Sequence, residues 1–179
     1  GSHWAGMGRR LLADEPVFAA AIDEIEPVFI EHVGYSLKQI LTDGTEINGD
    51  AQVQPVIMGL QLALTTLLRS YGVEPAAVMG HSMGEVTAAV VSGALSIRDG
   101  LKVIAHRSKL MSRMAGQGAV ALLELDPEAT GTLIAAAGDG VSIAGYLSPR
   151  QTVVAGPPEQ VDAVIAAVAA QDRFARRVN

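Results

Sequence analysis

Six residues, Gly80-His81-Ser82-Met83-Gly84-Glu85, constrain this chain more than any other part of it. They follow a short apolar stretch, Ala76-Ala77-Val78-Met79, and precede small apolar residues running from Val86 to Val91. A serine with glycine two positions away on each side, set between a strand and a helix, is the pattern of a nucleophile elbow. Such a turn brings neighbouring backbone close, so side chains at both flanking positions are expected to clash and glycine is expected to relieve it. The turn lifts the hydroxyl to a helix N-terminus, where backbone N–H groups can receive an oxyanion. Taken alone, the pattern also fits a glycine-rich turn whose Ser82 only caps a helix. The strand before it, the small-residue helix after it and Glu85 in the first turn favour the catalytic reading.

The remaining elements follow from periodicity. Pro16 suits a first helical position, and Val17, Phe18, Ala21, Ile22, Ile25, Val28 and Phe29 recur at spacings of three and four. Residues 42–50 carry the turn chemistry of a loop. A second helix is predicted from about Val53 to Tyr71, with Val56, Ile57, Leu60, Leu64, Leu67 and Leu68 on one face and Gly72 ending it. Ser96 with Asp99 resembles a capping box that opens a helix from Ile97 to about Met114. Composition changes at Ala115–Gly118. Beyond it the order reads Ala119–Leu125 strand, Pro127–Ala137 helix, Val141–Tyr146 strand, Gln151–Ala155 strand, Pro158–Ala170 helix and Arg173–Val178 strand. That is βαββαβ, the split-βαβ or ferredoxin-like order. Residues 1–116 are therefore expected to form an α/β part around the elbow, and 117–179 a small ferredoxin-like subdomain.

The helix from Ile97 carries a second clue. At about 100° per residue, Ile97, Leu101, Val103, Ile104, Leu110, Met111 and Met114 fill one arc, with Arg98, Lys102, Lys109 and Arg113 opposite. Arg107 falls in the apolar arc, between Met111 and Met114. A guanidinium there is costly unless it is paired or faces a cavity. One partner would be a carboxylate of the chain, Glu85 or Asp99. The other would be a substrate carboxylate, which the planar fork holds bidentately. A serine nucleophile beside a carboxylate receptor points to an acyl donor that carries its own free acid.

Composition excludes several classes. The net charge is −6 and no cluster of Lys and Arg marks a nucleic-acid footprint. With no cysteine there are no disulfides, thiolate nucleophiles or Cys-based metal sites, which is compatible with a reducing cytoplasm. No run reaches about 18 uninterrupted apolar residues, so a membrane span is not expected.

Together, the elbow, Arg107 in His106-Arg107-Ser108, Gln54-Pro55 and Trp4-Ala5-Gly6-Met7-Gly8 closely resemble the malonyl-CoA:acyl carrier protein transacylase family. Within it they resemble the acyltransferase domain of a type I modular polyketide synthase, nearest to the mycobacterial synthases of methyl-branched lipids. The resemblance implies an α/β-hydrolase-like large subdomain with a ferredoxin-like insert. It implies a Ser82 ester that passes a malonyl-type group, methylmalonyl favoured over malonyl, from acyl-CoA to the phosphopantetheine thiol of an acyl carrier protein. It further implies Met83 N–H as an oxyanion donor, Arg107 as carboxylate receptor, and Gln54 and His81 lining the site, with no tightly bound cofactor or metal. Neighbouring ketosynthase and linker domains are the implied partners.

The chain departs from the pattern in three places. His3 stands where a glutamine of the first motif is common, and Gly1-Ser2-His3 reads either as native or as a tag remnant, with the first strand missing. Leu147 precedes Ser148-Pro149 where an asparagine is frequent. The family's histidine base lies past Asn179 with the rest of the large subdomain, so the chain alone is expected to be inactive. Of the histidines present, His32 is expected to end a solvated surface helix, and His81 and His106 are not assigned as base. Two rival readings are a serine esterase or thioesterase, in which Arg107 has no role, and a non-catalytic structural piece of a larger synthase.

Overall fold

A computed structural model describes residues 3–137 and 140–178; Gly1, Ser2 and Asn179 of the terminal expectations above lie outside the described residues. The chain divides into two compact units, Gly1–Arg113 and Met114–Asn179.

The first unit is built from six helices: α1 (Arg9–Asp14), α2 (Pro16–Val33), α3 (Leu37–Asp43), α4 (Asp50–Ser70), α5 (Gly84–Val91) and α6 (Ile97–Met114), the last running to the boundary. Pro16 opens α2 as expected, and its inner face, Phe18, Ile22, Ile25 and Phe29, meets Leu37 and Leu41 of α3 and Val56, Met58, Leu60 and Ala63 of α4 in one core. Leu101, Ile104 and Ala105 of α6 complete it. Val17, expected inward, is exposed. By length and composition alone α4 is apolar enough to cross a membrane, yet half of that stretch is buried within the unit.

Pro55 sits inside α4 and has no N–H to give the carbonyl of Ala51, one turn back. Tyr35 fills the gap: its hydroxyl donates to the carbonyls of Ala51 and Gln52 at 3.4 and 3.2 Å. Burial pushes this phenol up to about 12, so it keeps its proton across the ordinary pH range. The first turn of α4 is fixed from outside the helix by this contact.

Several expectations change here. Residues 42–50 are not all loop, because Thr42 and Asp43 close α3 and Asp50 opens α4. The short helices α1 and α3 are not visible in the pattern, since six or seven residues give too few repeats to register a period. The strand expected at 76–79 is not formed: these residues are exposed, Met79 at 95%, and no described residue of the first unit offers a ladder partner. An extended segment becomes a strand only when a neighbour takes its backbone hydrogen bonds. On α4, Val56, Leu60 and Leu67 are buried, but Leu64 and Leu68 are exposed. These two line an apolar groove of about 780 Å³ with Trp4, Met7 and Met79.

The second unit is a four-stranded antiparallel sheet carrying two helices: β1 (Ala119–Leu123), α7 (Pro127–Ala137), β2 (Ser142–Ser148), β3 (Gln151–Gly156), α8 (Pro158–Ala169) and β4 (Ala175–Val178). The strand order β2-β3-β1-β4 is that of a ferredoxin-like fold, and β1 and β3 pair with Ala121 opposite Val154. Ala119, Ala121 and Leu123 alternate inward on β1 and meet Val161, Val164 and Val168, which share one face of α8. Asp126 caps α7 by accepting from Ala129 N–H at 2.8 Å. Two fully buried hydroxyls, Thr130 and Thr152, satisfy each other at 2.8 Å. β1 and β4 are shorter than expected: the ladder ends at Leu123 opposite Ala175, with one further backbone bond from Glu124 N–H to the Phe174 carbonyl at 2.8 Å.

Candidate active site

The turn of the elbow is formed, without the strand expected before it. Ser82 has φ +56°, one of two non-glycine residues in the left-handed region among the described residues. A side chain there costs of order 1–2 kcal/mol. The amides of Gly84 and Glu85 hold the strain in place: Gly84 N–H donates to the His81 carbonyl at 3.0 Å and Glu85 N–H to the Ser82 carbonyl at 3.1 Å, winding directly into α5. Gly80 is sterically demanded, because a Cβ on it would overlap the Gly84 carbonyl and the Glu85 nitrogen. Gly84 is not, since an added Cβ meets nothing within 4 Å. The clash expected on both sides is one clash seen from Gly80, with the Gly84 backbone as its other party. Gly80→Ala is therefore expected to lower stability in urea unfolding by about 1–3 kcal/mol. Gly84→Ala should stay within about 0.5 kcal/mol; equal losses at the two positions would contradict the packing.

Past Ser82, Met83 N–H meets no acceptor among the described residues, whereas the amides of Gly84 and Glu85 are engaged in the turn. It is the donor left at the head of α5, beside the hydroxyl that precedes it.

α6 delivers the second component. Ser96 opens it as expected, accepting from Asp99 N–H at 3.0 Å and donating to the Asp99 carboxylate at 2.6 Å. Gly100 lets the helix approach α4 and α5, since a Cβ on it would meet Val90 and Met58. The buried face of α6 is Gly100, Leu101, Ile104, Ala105 and Ser108. That corrects the arc read from the sequence: Ile97, Val103, Leu110, Met111 and Met114 are exposed, and Arg107 lies half-buried on the shoulder of the buried face. Small residues form the contact surface because they allow close approach, and their weak hydrophobicity hides them from the pattern.

From that shoulder Arg107 reaches the elbow. Its Nη2 donates to Ser82 Oγ at 2.7 Å, and its Nη1 donates to Gln54 Oε1. Neither carboxylate considered from the sequence is its partner: Asp99 is taken by Ser96, and among the described residues no carboxylate lies within ion-pair distance of the guanidinium. Gln54 is buried, 3% exposed, and both ends of its amide are engaged. Nε2 donates to Asp50 Oδ1 at 2.9 Å and to Met111 Sδ at 3.4 Å. A cation held by a neutral amide keeps its charge for another anion.

The structure thus brings Ser82, Arg107 and Gln54 into one hydrogen-bonded chain. His81 is adjacent but exposed, lining the groove rather than bonding the hydroxyl. His106 turns away, its Nδ1 donating to the Lys102 carbonyl at 2.8 Å. His32 is not solvated as expected: its ring is largely buried and Nε2 has no hydrogen-bond partner, with Glu31 at 4.0 Å. Glu31 is itself bonded by Arg98 at 2.6 Å, which holds its carboxyl below the usual range. Asp50, three hydrogen bonds from the serine, is missed by the sequence reading, although its spacing of four from Gln54 is a usable signal. No group of three or more metal-binding side chains occurs among the described residues.

The chain is similar to the acyltransferase domains of known proteins. A family model described as acyl transferase domain matches residues 1–179. The chain is 62% identical over 178 residues to a phenolphthiocerol/phthiocerol polyketide synthase of Mycobacterium tuberculosis, covering 99% of this chain and 10% of that protein. It superposes on the acyltransferase domain of the polyketide synthase PpsC of Mycobacterium tuberculosis with a TM-score of 0.92 and 58% identity, covering all of this chain and 54% of that one. A third relative, the acyl transferase domain of SpnD in complex with 2-(pent-4-yn-1-yl)malonyl, matches at a TM-score of 0.83 and 29% identity, over 100% of this chain and 42% of that one. The chain spans about a tenth of the first relative and about half of the PpsC domain.

Proposed function

The chain belongs to the acyl transferase domain family, and from that premise we propose that Ser82 carries a malonyl-type group between acyl-CoA and an acyl carrier protein. Ser82 Oγ attacks the thioester carbonyl carbon, its proton leaves, and the C–S bond breaks to release CoA as the thiol. The ester on Ser82 is then attacked by the phosphopantetheine thiol of the carrier protein, which regenerates the hydroxyl and completes a two-step exchange. Met83 N–H stabilises the tetrahedral oxyanion in both halves. Arg107 holds the donor's free carboxylate in its fork and Gln54 holds Arg107.

One observation carries this reading: a guanidinium with no carboxylate partner among the described residues, donating to the oxygen of a strained serine at 2.7 Å. An esterase acting on uncharged esters gives that cation no task. The malonyl derivative held by the SpnD domain supports a group substituted at the carbon between its two carbonyls. The resemblance to synthases of methyl-branched lipids favours methylmalonyl over malonyl, a choice of one methyl that a pocket separates by only about 1–3 kcal/mol.

Proton removal is assigned to a histidine of the parent protein outside residues 1–179. Among the described residues His3, His32, His81 and His106 make no hydrogen bond to Ser82. Carrier, ketosynthase and linker domains of a longer synthase are the proposed partners, in the cytoplasm.

The test uses the parent protein incubated with labelled malonyl-CoA and methylmalonyl-CoA, followed by peptide mapping. Label is expected as an alkali-labile ester on the peptide containing Ser82, with methylmalonyl loaded faster. Absence of any acyl-serine would favour a structural role, and rapid release of label to water without carrier transfer would favour a thioesterase.

A further inference from the structure

We propose that Asp50 is a positioning residue for substrate choice, acting through Gln54 to keep Arg107 both aimed and undischarged; this rests on Arg107 being the carboxylate receptor.

The amide of Gln54 lies between two opposite demands. On one side Asp50 Oδ1 and Met111 Sδ accept from its nitrogen, and on the other Arg107 Nη1 donates to its oxygen. The carboxylate and the guanidinium therefore fix the amide orientation, since a flip would set oxygen against oxygen and N–H against N–H. Removing Asp50 leaves only a thioether to hold the nitrogen end, a weak acceptor. Gln54 then gains torsional freedom and Arg107 loses a fixed hydrogen-bond partner.

The placement of the negative charge adds to the effect of the bond. A carboxylate directly on Arg107 would occupy the fork and compete with the donor's free acid. Here the carboxylate stands one neutral link back, so it polarises the amide without neutralising the guanidinium. Asp50 is itself held in place. Gly49, at φ +71°, starts the helix, Asn48 N–H donates to Gln52 Oε1 at 3.0 Å, and the Tyr35 hydroxyl fixes the carbonyls of Ala51 and Gln52. The receptor arginine is thus referred to a rigid helix start rather than to a mobile side chain.

The experiment measures kcat and KM in the parent protein for methylmalonyl-CoA and for acetyl-CoA, which lacks the free acid. It compares Asp50→Ala, Asp50→Asn and Arg107→Ala, with thermal unfolding followed for each. Asp50→Ala is expected to lower kcat/KM for methylmalonyl-CoA about tenfold or more, as a displaced binding group does, while acetyl-CoA changes less than about twofold. Asp50→Asn keeps an acceptor at the same position and should restore most of the loss. A parallel fall for both donors, or a fall with asparagine as deep as with alanine, would mean that Asp50 serves only the helix start and would overturn the proposal. No change for either donor would overturn it as well. If Arg107→Ala itself leaves the preference between the donors intact, the receptor reading fails first; if Arg107→Ala removes the preference and Asp50→Ala does not, only the inference about Asp50 fails.

Discussion

Arg107→Ala is expected to remove about 2–5 kcal/mol of binding to the acyl donor's carboxylate in the transition state, the usual loss when one partner of a desolvated charge pair is truncated. At about 1.4 kcal/mol per factor of ten, kcat/KM for methylmalonyl-CoA should fall from roughly thirty-fold to several-thousand-fold. Acetyl-CoA should be used as well as before or better, because the same substitution frees Ser82 Oγ from the guanidinium that now donates to it at 2.7 Å. Arg107→Lys should recover little, since an ammonium is a point charge and cannot bond Gln54 while presenting a planar fork to a carboxylate. The variant leaves Gln54 Oε1 buried without its partner, a cost of about 1–3 kcal/mol, so thermal unfolding must accompany the kinetics. Steady-state assays with the two donors decide the matter: equal loss for both would mean that Arg107 supports the site's shape and not its choice of substrate.

Ser82→Gly should separate activity from stability in a single variant. Acyl transfer is expected to drop to background, by a factor of about 10⁴–10⁶ as for other essential nucleophiles, because no other hydroxyl or thiol is placed at the elbow. Stability should rise instead by about 1 kcal/mol, since glycine occupies φ +56° without the strain that any side chain meets there. Urea unfolding of the variant beside the wild type, with acyl loading measured on both, checks the two halves together. Ser82→Ala should lose the same activity and gain no stability. A glycine variant no more stable than the alanine one would show that the turn is relaxed, which would remove the structural reason for placing a nucleophile at this residue.

Much of the fold is legible in the sequence where a pattern repeats. α2, α6, α7 and α8 each give at least three turns of one period, and their observed bounds follow the predicted ones within one residue or extend a few beyond the last marked position. The βαββαβ order of the second unit can be read because β1, β2 and β3 are bounded by Gly, Pro or Ser turns. α1 and α3 are too short to show a period. Residues 76–79 have the composition of a strand, but strand formation depends on a partner elsewhere, which no local pattern encodes. Arg107 stands out as misplaced for a partly mistaken reason. The helical wheel puts it between Met111 and Met114 as if those lined the core, whereas the contact face runs through Gly100, Ala105 and Ser108. Its separation from the charged face survives the correction, since Arg98, Lys102, Lys109 and Arg113 all lie on the exposed side while Arg107 alone turns to the elbow. The Gln54–Asp50 link is readable as an (i, i+4) pair, but such pairs are common on helices, and only the third contact, to Arg107, gives this one meaning.

The phenol that stands in for the missing amide of Pro55 has a consequence for how this sequence can drift. While the proline remains, Tyr35 cannot be exchanged for phenylalanine without stranding a carbonyl inside the helix. Once the proline has gone, the backbone closes its own ring and the tyrosine is released. The two positions are thus open to change in one order and closed in the other, so a lineage that gives up the hydroxyl first is at a disadvantage that one giving up the proline first never meets.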